Sequence, residues 1–437
     1  MKIAYIAAGA GGMICGNCLR DNALAAALIE LGHDVRLIPT YTPIRTDEED
    51  VSQRRVFYGG INVFLQQKFS LFRHTPWLLD RLLDRPSLLR WVSKFAVKTR
   101  PEELGEMTLS VLQGAEGPQR KELRKLIDWL RTDPPDVVHL TNSMFVGMAP
   151  AIKDALKIPV LCSLQGEDYF LENLPSPYSE LAFRKLRETV PAIDMFISPS
   201  RDHAAAMAPR LGIPEGDIRV VASGLNLKDL KPVPKSDPDV FRIGYLARVC
   251  PEKGLALLAE AFHLIRSRGE QSSPRVQLHV AGWLGPEHGA YLEDIQRQIN
   301  DWGLAEDFKY LGVVGRSEKI EFLQSLDVLS VPAAYRAPKG LYVLEALACG
   351  VPVVQPRLGV FPELIEATGG GLLFEPENAA QLAQAIESLI DGRAESEKMG
   401  RAGREAVVRY FHCRRMAEET LALYEMCSTK PAPRKKG

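Results

Sequence analysis

Short apolar runs alternate along the chain with longer segments in which apolar residues recur at helical spacing, and Gly- or Pro-containing loops separate them. In the first half the apolar runs are KIAYIAA, DVRLIPT, DVVHL, PVLCSL and MFISPS, and in the second half they are FRIGYLAR, VQLHVAG, KYLGVV, VLSVPA and VPVVQP. Such runs are typical of parallel strands covered on both faces. Their alternation with helices predicts βαβ units. The expected fold class is therefore α/β, with two Rossmann-like doubly wound domains.

A proline-rich segment of mixed charge, LKDLKPVPKSDPDV at residues 228–241, separates the two halves and offers few residues that could anchor a core. We therefore place the interdomain linker there. The predicted organisation is an N-terminal domain over residues 1–230, a linker over 231–241, a C-terminal domain over 242–406, a C-terminal helix over 407–428 and a disordered tail over 429–437.

The charge of the chain is nearly balanced, with 54 Lys and Arg against 55 Asp and Glu in 437 residues. The chain as a whole therefore exerts no electrostatic pull on nucleic acid, and any anion site must be local. Seven scattered cysteines do not form a disulfide framework, which favours a reducing compartment. No apolar run is long enough to span a membrane. We expect a cytoplasmic protein.

Residues 68–100 interrupt the pattern, with eight Lys or Arg against two Asp, and with Trp77 and Trp91 among apolar residues at helical spacing. They belong to a basic amphipathic insertion over about residues 60–130. The pattern favours a solvated helical hairpin that packs its apolar side on the first domain. The alternative is contact with an anionic acceptor or, as a peripheral protein, with the inner face of the membrane.

A glycine-rich loop, AGAGGMICG, follows the first strand and precedes a helical pattern, so the backbone N–H groups of Gly11 and Gly12 could face an anion. The loop lacks GxGxxG spacing, and the second strand runs into IPTYTP without an acidic ribose partner. Both features argue against a nicotinamide or flavin enzyme. No second Cys or His pair adds zinc-like spacing to Cys15 and Cys18, so we expect neither a metal site nor a redox role.

Two cations, Arg248 and Lys253, follow the strand FRIGYLA at the start of the second domain. Open α/β sheets bind ligands at the carboxyl ends of their strands. At such an edge, Arg suits a diphosphate by a bidentate grip, and Lys suits it as a mobile point charge. The pair therefore indicates a candidate diphosphate site.

The segment YRAPKGLYVLEALACGVPVVQP predicts a loop at Pro338 and Gly340, followed by a short helix. The backbone N–H groups of Gly340 and Leu341 could hold a phosphate at the helix N-terminus. One turn into the helix, Glu345 could accept hydrogen bonds from both hydroxyls of a ribose.

The second half resembles the family 4 retaining glycosyltransferases of GT-B fold in the order and spacing of RVCPEKG, VAGWLGPEH, KYLGVV, SLDVLSVPA, GLYVLEALACGVPVV and GGGLLFEPENAAQLAQAI. The first half is similar more loosely, through the glycine loop, ALIELGHDV, PDVVHL, IPVLCSLQGED and FISPS. The resemblance implies two domains that face each other across a cleft. It also implies that the final helical pattern, AVVRYFHCRRMAEETLALYEM, crosses back to the first domain.

The same resemblance assigns roles to particular side chains. Arg248 and Lys253 would neutralise the donor diphosphate, and Glu345 would bind the ribose. Independently of the resemblance, Asp168 follows a strand on the cleft side of the first domain, and this position makes it a candidate partner for an acceptor hydroxyl. The expected donor-binding positions are Gly11, Gly12, Arg248, Lys253, Gly282, Gly340, Leu341 and Glu345.

Four positions depart from the family pattern. The first carboxylate of the family's Glu-x7-Glu motif is expected at position 337, under the donor sugar, and this chain has Ala337. Lys339 stands where an aromatic residue is common. In the first domain Gln165 stands where His is usual before Gly, and Ser223 stands where Asn is usual.

The resemblance implies transfer of a sugar from a nucleoside diphosphate donor to a carbohydrate, lipid-linked or small-molecule acceptor, with no metal or other cofactor. In the front-face mechanism of the family the departing phosphate deprotonates the acceptor, so positioning and charge stabilisation dominate. Loss of the carboxylate at Ala337 would remove about 2–4 kcal/mol of transition-state stabilisation, so we expect weakened turnover. The alternative, motivated by Ala337 and Gln165, is a non-catalytic nucleotide-sugar sensor or scaffold.

Overall fold

The computed structural model describes residues 1–9, 16–59, 101–234, 237, 239–268 and 274–429. They form two units, the first made of Met1–Gly224 with Cys413–Gly437 and the second of Leu225–His412. The glycine-loop residues Gly11, Gly12 and Cys15 and the basic segment 68–100 lie outside the described residues.

The first unit is built on a parallel sheet of six described strands in the order β2-β1-β3-β4-β5-β6. The strands are β1 (Lys2–Ala8), β2 (Asp34–Thr40), β3 (Val137–Leu140), β4 (Val160–Ser163), β5 (Met195–Ser198) and β6 (Ile218–Val220). Its described helices are α1 (Gly16–Glu30), α2 (Pro101–Leu112), α3 (Arg120–Thr132), α4 (Ala149–Leu156), α5 (Glu167–Glu172), α6 (Tyr178–Thr189) and α7 (Arg201–Leu211).

Both faces of the first sheet are buried, as its continuous apolar runs predict. Along β1, Ala4 and Ile6 join one apolar cluster, whereas Ile3 and Tyr5 join another on the opposite face. This alternation follows from the strand geometry, because successive side chains point to opposite faces. The prediction of a doubly wound α/β unit is confirmed here.

The C-terminal helix belongs to the first unit. One helix is predicted over residues 407–428, but the structure has two, which end and restart around Phe411 and His412: α14 (Arg393–Tyr410) and α15 (Cys413–Ser428). The break has a physical reason, because the Phe411 carbonyl accepts a hydrogen bond from the N–H of Leu225 at 2.8 Å. Met416 and Tyr424 of α15 are fully buried in the cluster that also contains α1 residues. Burial of each such side chain contributes about 1.5–3 kcal/mol to docking of the helix.

The second unit contains a parallel sheet of six described strands in the order β12-β11-β10-β7-β8-β9. The strands are β7 (Val240–Leu246), β8 (Arg275–Ala281), β9 (Phe308–Tyr310), β10 (Val328–Leu329), β11 (Val353–Pro356) and β12 (Gly371–Phe374). The chain moves outward from β7 to β9 and then returns to the other side of β7 with β10. The strand order therefore reverses between β7 and β10, which is where doubly wound sheets bind ligands.

Helices cover the second sheet, and with α14 they complete this unit. The others are α8 (Leu255–Arg268), α9 (Gly289–Asp301), α10 (Arg316–Ser325), α11 (Leu341–Ala348), α12 (Phe361–Thr368) and α13 (Ala379–Asp391). Phe241, Ile243 and Tyr245 of β7 lie in its apolar core together with Phe262 of α8. Across the described part of the chain, no helix combines the length and the apolar character that crossing a membrane requires.

Candidate functional site

Two loops of the second unit leave the sheet at the point where the strand order reverses. The first follows β7 and carries Arg248 and Lys253, and the second follows β10 and leads through Ala337 to α11. A backbone hydrogen bond joins the loops, since the N–H of Ala334 donates to the Glu252 carbonyl at 3.0 Å. The topology thus brings together the two segments that the sequence analysis singles out.

Lys253 spans the gap between these loops. Its Nζ lies 2.6 Å from the hydroxyl oxygen of Tyr335. The same ammonium lies 4.8 Å from the ring centroid of Tyr335 and 5.6 Å from that of Tyr342. Aromatic faces attract a cation, so the two tyrosines hold the charge at the strand ends. Neither tyrosine is predicted as a site residue from the sequence, although each flanks the predicted phosphate loop.

Arg248 presents a more accessible charge. Its side chain is 44% exposed, and one guanidinium nitrogen lies 3.5 Å from the Glu252 carboxylate. Burial opposes ionisation of Glu252, but its backbone hydrogen bond, the Cys250 thiol and Arg248 together lower its pKa. The Arg248 carbonyl accepts a hydrogen bond from Tyr245 at 2.8 Å, which anchors the backbone while the guanidinium donors reach solvent.

The start of α11 supplies backbone donors to the same region. Gly340 has φ 61°, in the left-handed region that favours glycine, and its carbonyl accepts the first helical hydrogen bond, from Val343 at 2.9 Å. Glycine brings no side chain that could cap the helix. The first N–H groups of a helix have no partner within it, so the Gly340 and Leu341 end of α11 can bind an anion.

Gly282 lies where β8 meets the loop that follows β7. A Cβ at this position would lie 1.7 Å from the Ala247 carbonyl oxygen, and its φ is 150°. Next to it, the N–H of Val249 donates to the Trp283 carbonyl at 2.9 Å. Gly282 therefore permits the close backbone approach that fixes the chain on both sides of Arg248.

Glu345 lies one turn into α11 and is only 8% exposed. Its carboxylate oxygen Oε1 accepts a hydrogen bond from Nζ of Lys319, on α10, at 2.6 Å. Lys319 is another residue that the sequence analysis missed, because its spacing on α10 gave no sign of its partner.

Ala337 lies in the loop before α11 and is 3% exposed. Its carbonyl accepts a hydrogen bond from the N–H of Val360 at 3.0 Å, so its backbone is anchored. The side chain is a methyl group and supplies no charge. Lys339, two residues later in the same loop, is 8% exposed.

Asp168 lies in the first unit, in the first turn of α5, and is 6% exposed. Its Oδ1 is 4.0 Å from Nδ1 of His203, which is beyond hydrogen-bonding distance. The preceding residue, Glu167, accepts hydrogen bonds from the backbone N–H groups of Ser143 at 2.8 Å and of Gln165 at 2.7 Å. Glu167 thus holds the turn that carries Asp168.

Gln165 takes part in a buried polar network of the first unit. Its amide nitrogen donates to Oδ1 of Asp21 at 2.8 Å and to the Thr141 carbonyl at 2.9 Å. The Asp21 carboxylate also accepts from the hydroxyls of Tyr5 and Thr141 and lies beside Arg20. The Gln165 amide nitrogen therefore has its hydrogen-bond partners inside the first unit. Ser223, the other departure in this unit, is 3% exposed.

A second part of this network reaches the C-terminal helix. His139 stacks on Tyr5, with ring centroids 4.5 Å apart. Its Nδ1 lies 2.7 Å from the hydroxyl of Tyr424, and its Nε2 lies 2.8 Å from that of Ser163. Burial, with the nearby charge of Arg20, lowers the pKa of His139 to about 3, so the ring is neutral at physiological pH.

Metal-binding geometry is not seen in the described ranges, where no three His, Cys, Asp or Glu side chains are grouped in a way that could hold an ion. The described cysteines, which include Cys18 but not Cys15, form no disulfide with one another. The expectation that Cys15 and Cys18 have no metal or redox role stays a prediction.

Two protein families match the chain. The family described as Glycosyl transferases group 1 matches residues 228–406. The family described as Glycosyltransferase Family 4 matches residues 111–229. The first match contains both loops at the strand reversal, and the second contains Gln165 and Asp168.

Relatives of known name match parts of the chain. A GDP-mannose-dependent alpha-(1-6)-phosphatidylinositol monomannoside mannosyltransferase of Mycobacterium tuberculosis (strain CDC 1551 / Oshkosh) is 26% identical over 60% of this chain and 68% of its own length. A D-inositol 3-phosphate glycosyltransferase of Arthrobacter sp. (strain FB24) is 34% identical over 37% of each chain.

Solved structures extend the similarity to nearly the whole fold. Sucrose-phosphate synthase from Thermosynechococcus elongatus has a TM-score of 0.71 at 19% identity and covers 98% of this chain and 99% of its own. Anabaena Alr3699/HepE, solved in complex with UDP, has a TM-score of 0.67 at 18% identity, and the match covers 98% of this chain and 100% of the HepE chain. At these identities the match concerns the fold, and it agrees with the predicted GT-B class.

Proposed function

The chain belongs to the family 4, group 1 glycosyltransferases, and we propose that it transfers a sugar from a nucleoside diphosphate donor with retention of anomeric configuration. The observation that carries this proposal is the convergence of Arg248, Lys253 and the N-terminus of α11 at the strand reversal of the second unit. Two cations and a helix N-terminus suit a diphosphate. Glu345 suits a ribose, because a carboxylate accepts hydrogen bonds from two hydroxyls.

The proposed chemistry needs no protein nucleophile. The bond between the anomeric carbon and the diphosphate oxygen breaks as the acceptor oxygen forms a bond to that carbon on the same face. The leaving phosphate oxygen takes the acceptor proton. Arg248, Lys253 and the first N–H groups of α11 stabilise the negative charge that develops on the diphosphate, which is a large source of catalysis when the groups are preorganised. We propose further that no metal is needed, so that transfer persists in EDTA.

The acceptor is proposed as a carbohydrate, lipid-linked or small-molecule alcohol, with Asp168 as a partner for its hydroxyl. The relatives named for phosphatidylinositol mannoside and inositol phosphate support testing inositol-containing acceptors with GDP-mannose. The HepE structure with UDP supports testing UDP-sugars as well. We also propose that the protein acts in the cytoplasm, and contact of the basic segment 68–100 with anionic membranes stays the alternative to the favoured hairpin. Vesicle binding that is absent even at low salt would exclude that alternative.

The test is release of nucleoside diphosphate that depends on the acceptor. Arg248→Ala should remove most of this activity, about 30- to 1000-fold, because one preorganised charge contact to the leaving group is lost. Arg297→Ala is the matched control, since that arginine is on α9 with its side chain 67% exposed. Unchanged activity in Arg248→Ala would refute the site. Tight binding of donors without transfer or hydrolysis would favour a sensor instead.

A further inference from the structure

Lys319 is an unusual residue for its position on α10. It is 8% exposed and lies among Ile320, Phe322 and Leu323, which are buried on the same helix. An amphipathic helix normally places an apolar side chain at such a position. A lysine there requires that its charge be compensated, since burial of an unpaired ammonium is strongly unfavourable.

The compensating charge is Glu345. The Lys319 ammonium lies 2.6 Å from Oε1 of Glu345, and the two side chains are 10% and 11% exposed. Within the described residues, the Glu345 carboxylate accepts this one side-chain hydrogen bond, from Lys319. A carboxylate has two oxygens with about four acceptor positions, so the contact with Lys319 leaves acceptor capacity on Glu345 for a ligand.

A buried ion pair is weak evidence of a role in stability, because desolvation of the two charges offsets most of their attraction. The pair does fix the rotamer of the carboxylate. Without the ammonium, a buried carboxylate would lose its hydrogen-bond donor and would turn toward solvent. That change would weaken its ability to accept two hydroxyl hydrogen bonds.

We propose that Lys319 is a positioning residue that holds the Glu345 carboxylate in the orientation of the ribose acceptor, and so sets the preference of the site for ribonucleotides. The inference rests on the proposed function, in which Glu345 binds the ribose. Lys319 touches neither the diphosphate nor the sugar in this scheme and acts through the carboxylate alone.

The test measures ribose discrimination directly. Calorimetry first identifies which of UDP, GDP and ADP the wild-type protein binds. It then compares the affinity for that ribonucleotide with the affinity for its 2′,3′-dideoxy form. Hydrogen bonds to charged groups predict that wild type prefers the ribonucleotide by at least about tenfold. In Lys319→Met we expect this preference to fall to that of Glu345→Gln, while affinity for the dideoxy nucleotide changes less than about twofold.

Two further variants guard against a folding effect. Lys398→Met removes an exposed lysine of the same unit and should leave the preference unchanged. The double variant Lys319→Met with Glu345→Gln removes both charges of the pair, and such replacements are often tolerated. The double variant should keep at least the preference for the ribonucleotide that Glu345→Gln alone shows, because the lysine is proposed to act only through the carboxylate.

The outcomes separate the two ideas. If Glu345→Gln abolishes the preference but Lys319→Met retains it, the role of Lys319 is wrong and the proposed donor site survives. Equal loss of affinity for both nucleotides in Lys319→Met would mean a purely structural role. If wild type shows no ribose preference, or binds no nucleoside diphosphate, then the ribose role of Glu345 fails and the inference about Lys319 fails with it.

Discussion

The buried polar network of the first unit and the guanidinium at the end of β7 in the second unit differ in their exposure to solvent. In the first unit the Asp21 carboxylate accepts hydrogen bonds from Tyr5, Thr141 and Gln165, so these polar groups satisfy one another inside the fold. In the second unit the Arg248 guanidinium is 44% exposed at the end of β7. A closed network specifies packing, whereas charges at strand ends are available to a ligand. The contrast indicates which departures from the family pattern matter for chemistry.

Gln165 and Ala337 illustrate that contrast. Gln165 stands where the family pattern predicts histidine, and its amide is built into the network through Asp21 and Thr141. Ala337 stands where the family pattern predicts a carboxylate, and its methyl group can form no hydrogen bond. The departure at 165 is therefore accommodated locally, whereas nothing in the side chain at 337 could take the role that the family pattern predicts there.

The largest expected effect is in the second unit. Lys253→Met should lower kcat/KM by about 100- to 1000-fold, because a preorganised cation next to the leaving diphosphate is removed. The melting temperature should change little, since the ammonium is held by the Tyr335 hydroxyl and by the rings of Tyr335 and Tyr342, and such contacts of a partly exposed cation contribute little to stability. Steady-state kinetics measures the first quantity, and a thermal melt measures the second. An equal loss in the exposed control Lys309→Met would contradict a site-specific role.

Introducing the carboxylate that the family pattern predicts at position 337 should have the next largest effect. Ala337→Glu is expected to raise kcat by about 30-fold or more with an accepted donor, since the new carboxylate can hold a sugar hydroxyl in the transition state. Affinity for the nucleoside diphosphate alone should stay the same, because the proposed place of residue 337 is at the sugar end of the donor. Ala337→Gln separates charge from hydrogen bonding. Failure of Ala337→Glu to raise turnover with every accepted donor would show that the residue has no such role.

A change in the buried network of the first unit should lower stability and leave nucleotide binding unchanged. Gln165→Leu removes a donor to the buried Asp21 carboxylate, which should lower the free energy of unfolding by about 1–3 kcal/mol. Nucleotide affinity should remain within about twofold, because the network lies in the unit that lacks the two cations. Denaturant titration and calorimetry check the two halves of this prediction. Weakened nucleotide binding with unchanged stability would show that Gln165 serves ligand binding and not the packing of the first unit.

Much of this organisation is predictable from the sequence, because strand and helix patterns and the position of charges relative to strand ends are local features. The βαβ rhythm predicts both sheets, and Arg248 and Lys253 follow β7 as expected. The partners are a different matter. Tyr335 meets Lys253 across 82 positions of the chain. Contacts of that kind depend on how loops pack after the strands have assembled, and no local pattern reports them.

The pH dependence of stability offers the finest test of the comparison. Burial holds the pKa of His139 at about 3 in the folded first unit, whereas an unfolded histidine titrates near about 6.5. Between these values the unfolded state binds a proton that the folded state does not, so the free energy of unfolding falls as pH falls. The slope from His139 approaches about 1.4 kcal/mol per pH unit.

His139→Gln should therefore be less stable than wild type at pH 7 but should lose stability less steeply as the pH falls from 7 to 4. Hydrogen exchange of β3 peptides follows the first unit by itself. The matched control is His279→Gln in the second unit, where burial, then Arg242 and Lys309, lower the histidine pKa to about 4. That variant should flatten the pH dependence of β8 peptides and leave β3 unaffected. Identical pH slopes for β3 in wild type and His139→Gln would mean that the buried imidazole is not what makes the first unit sensitive to acid.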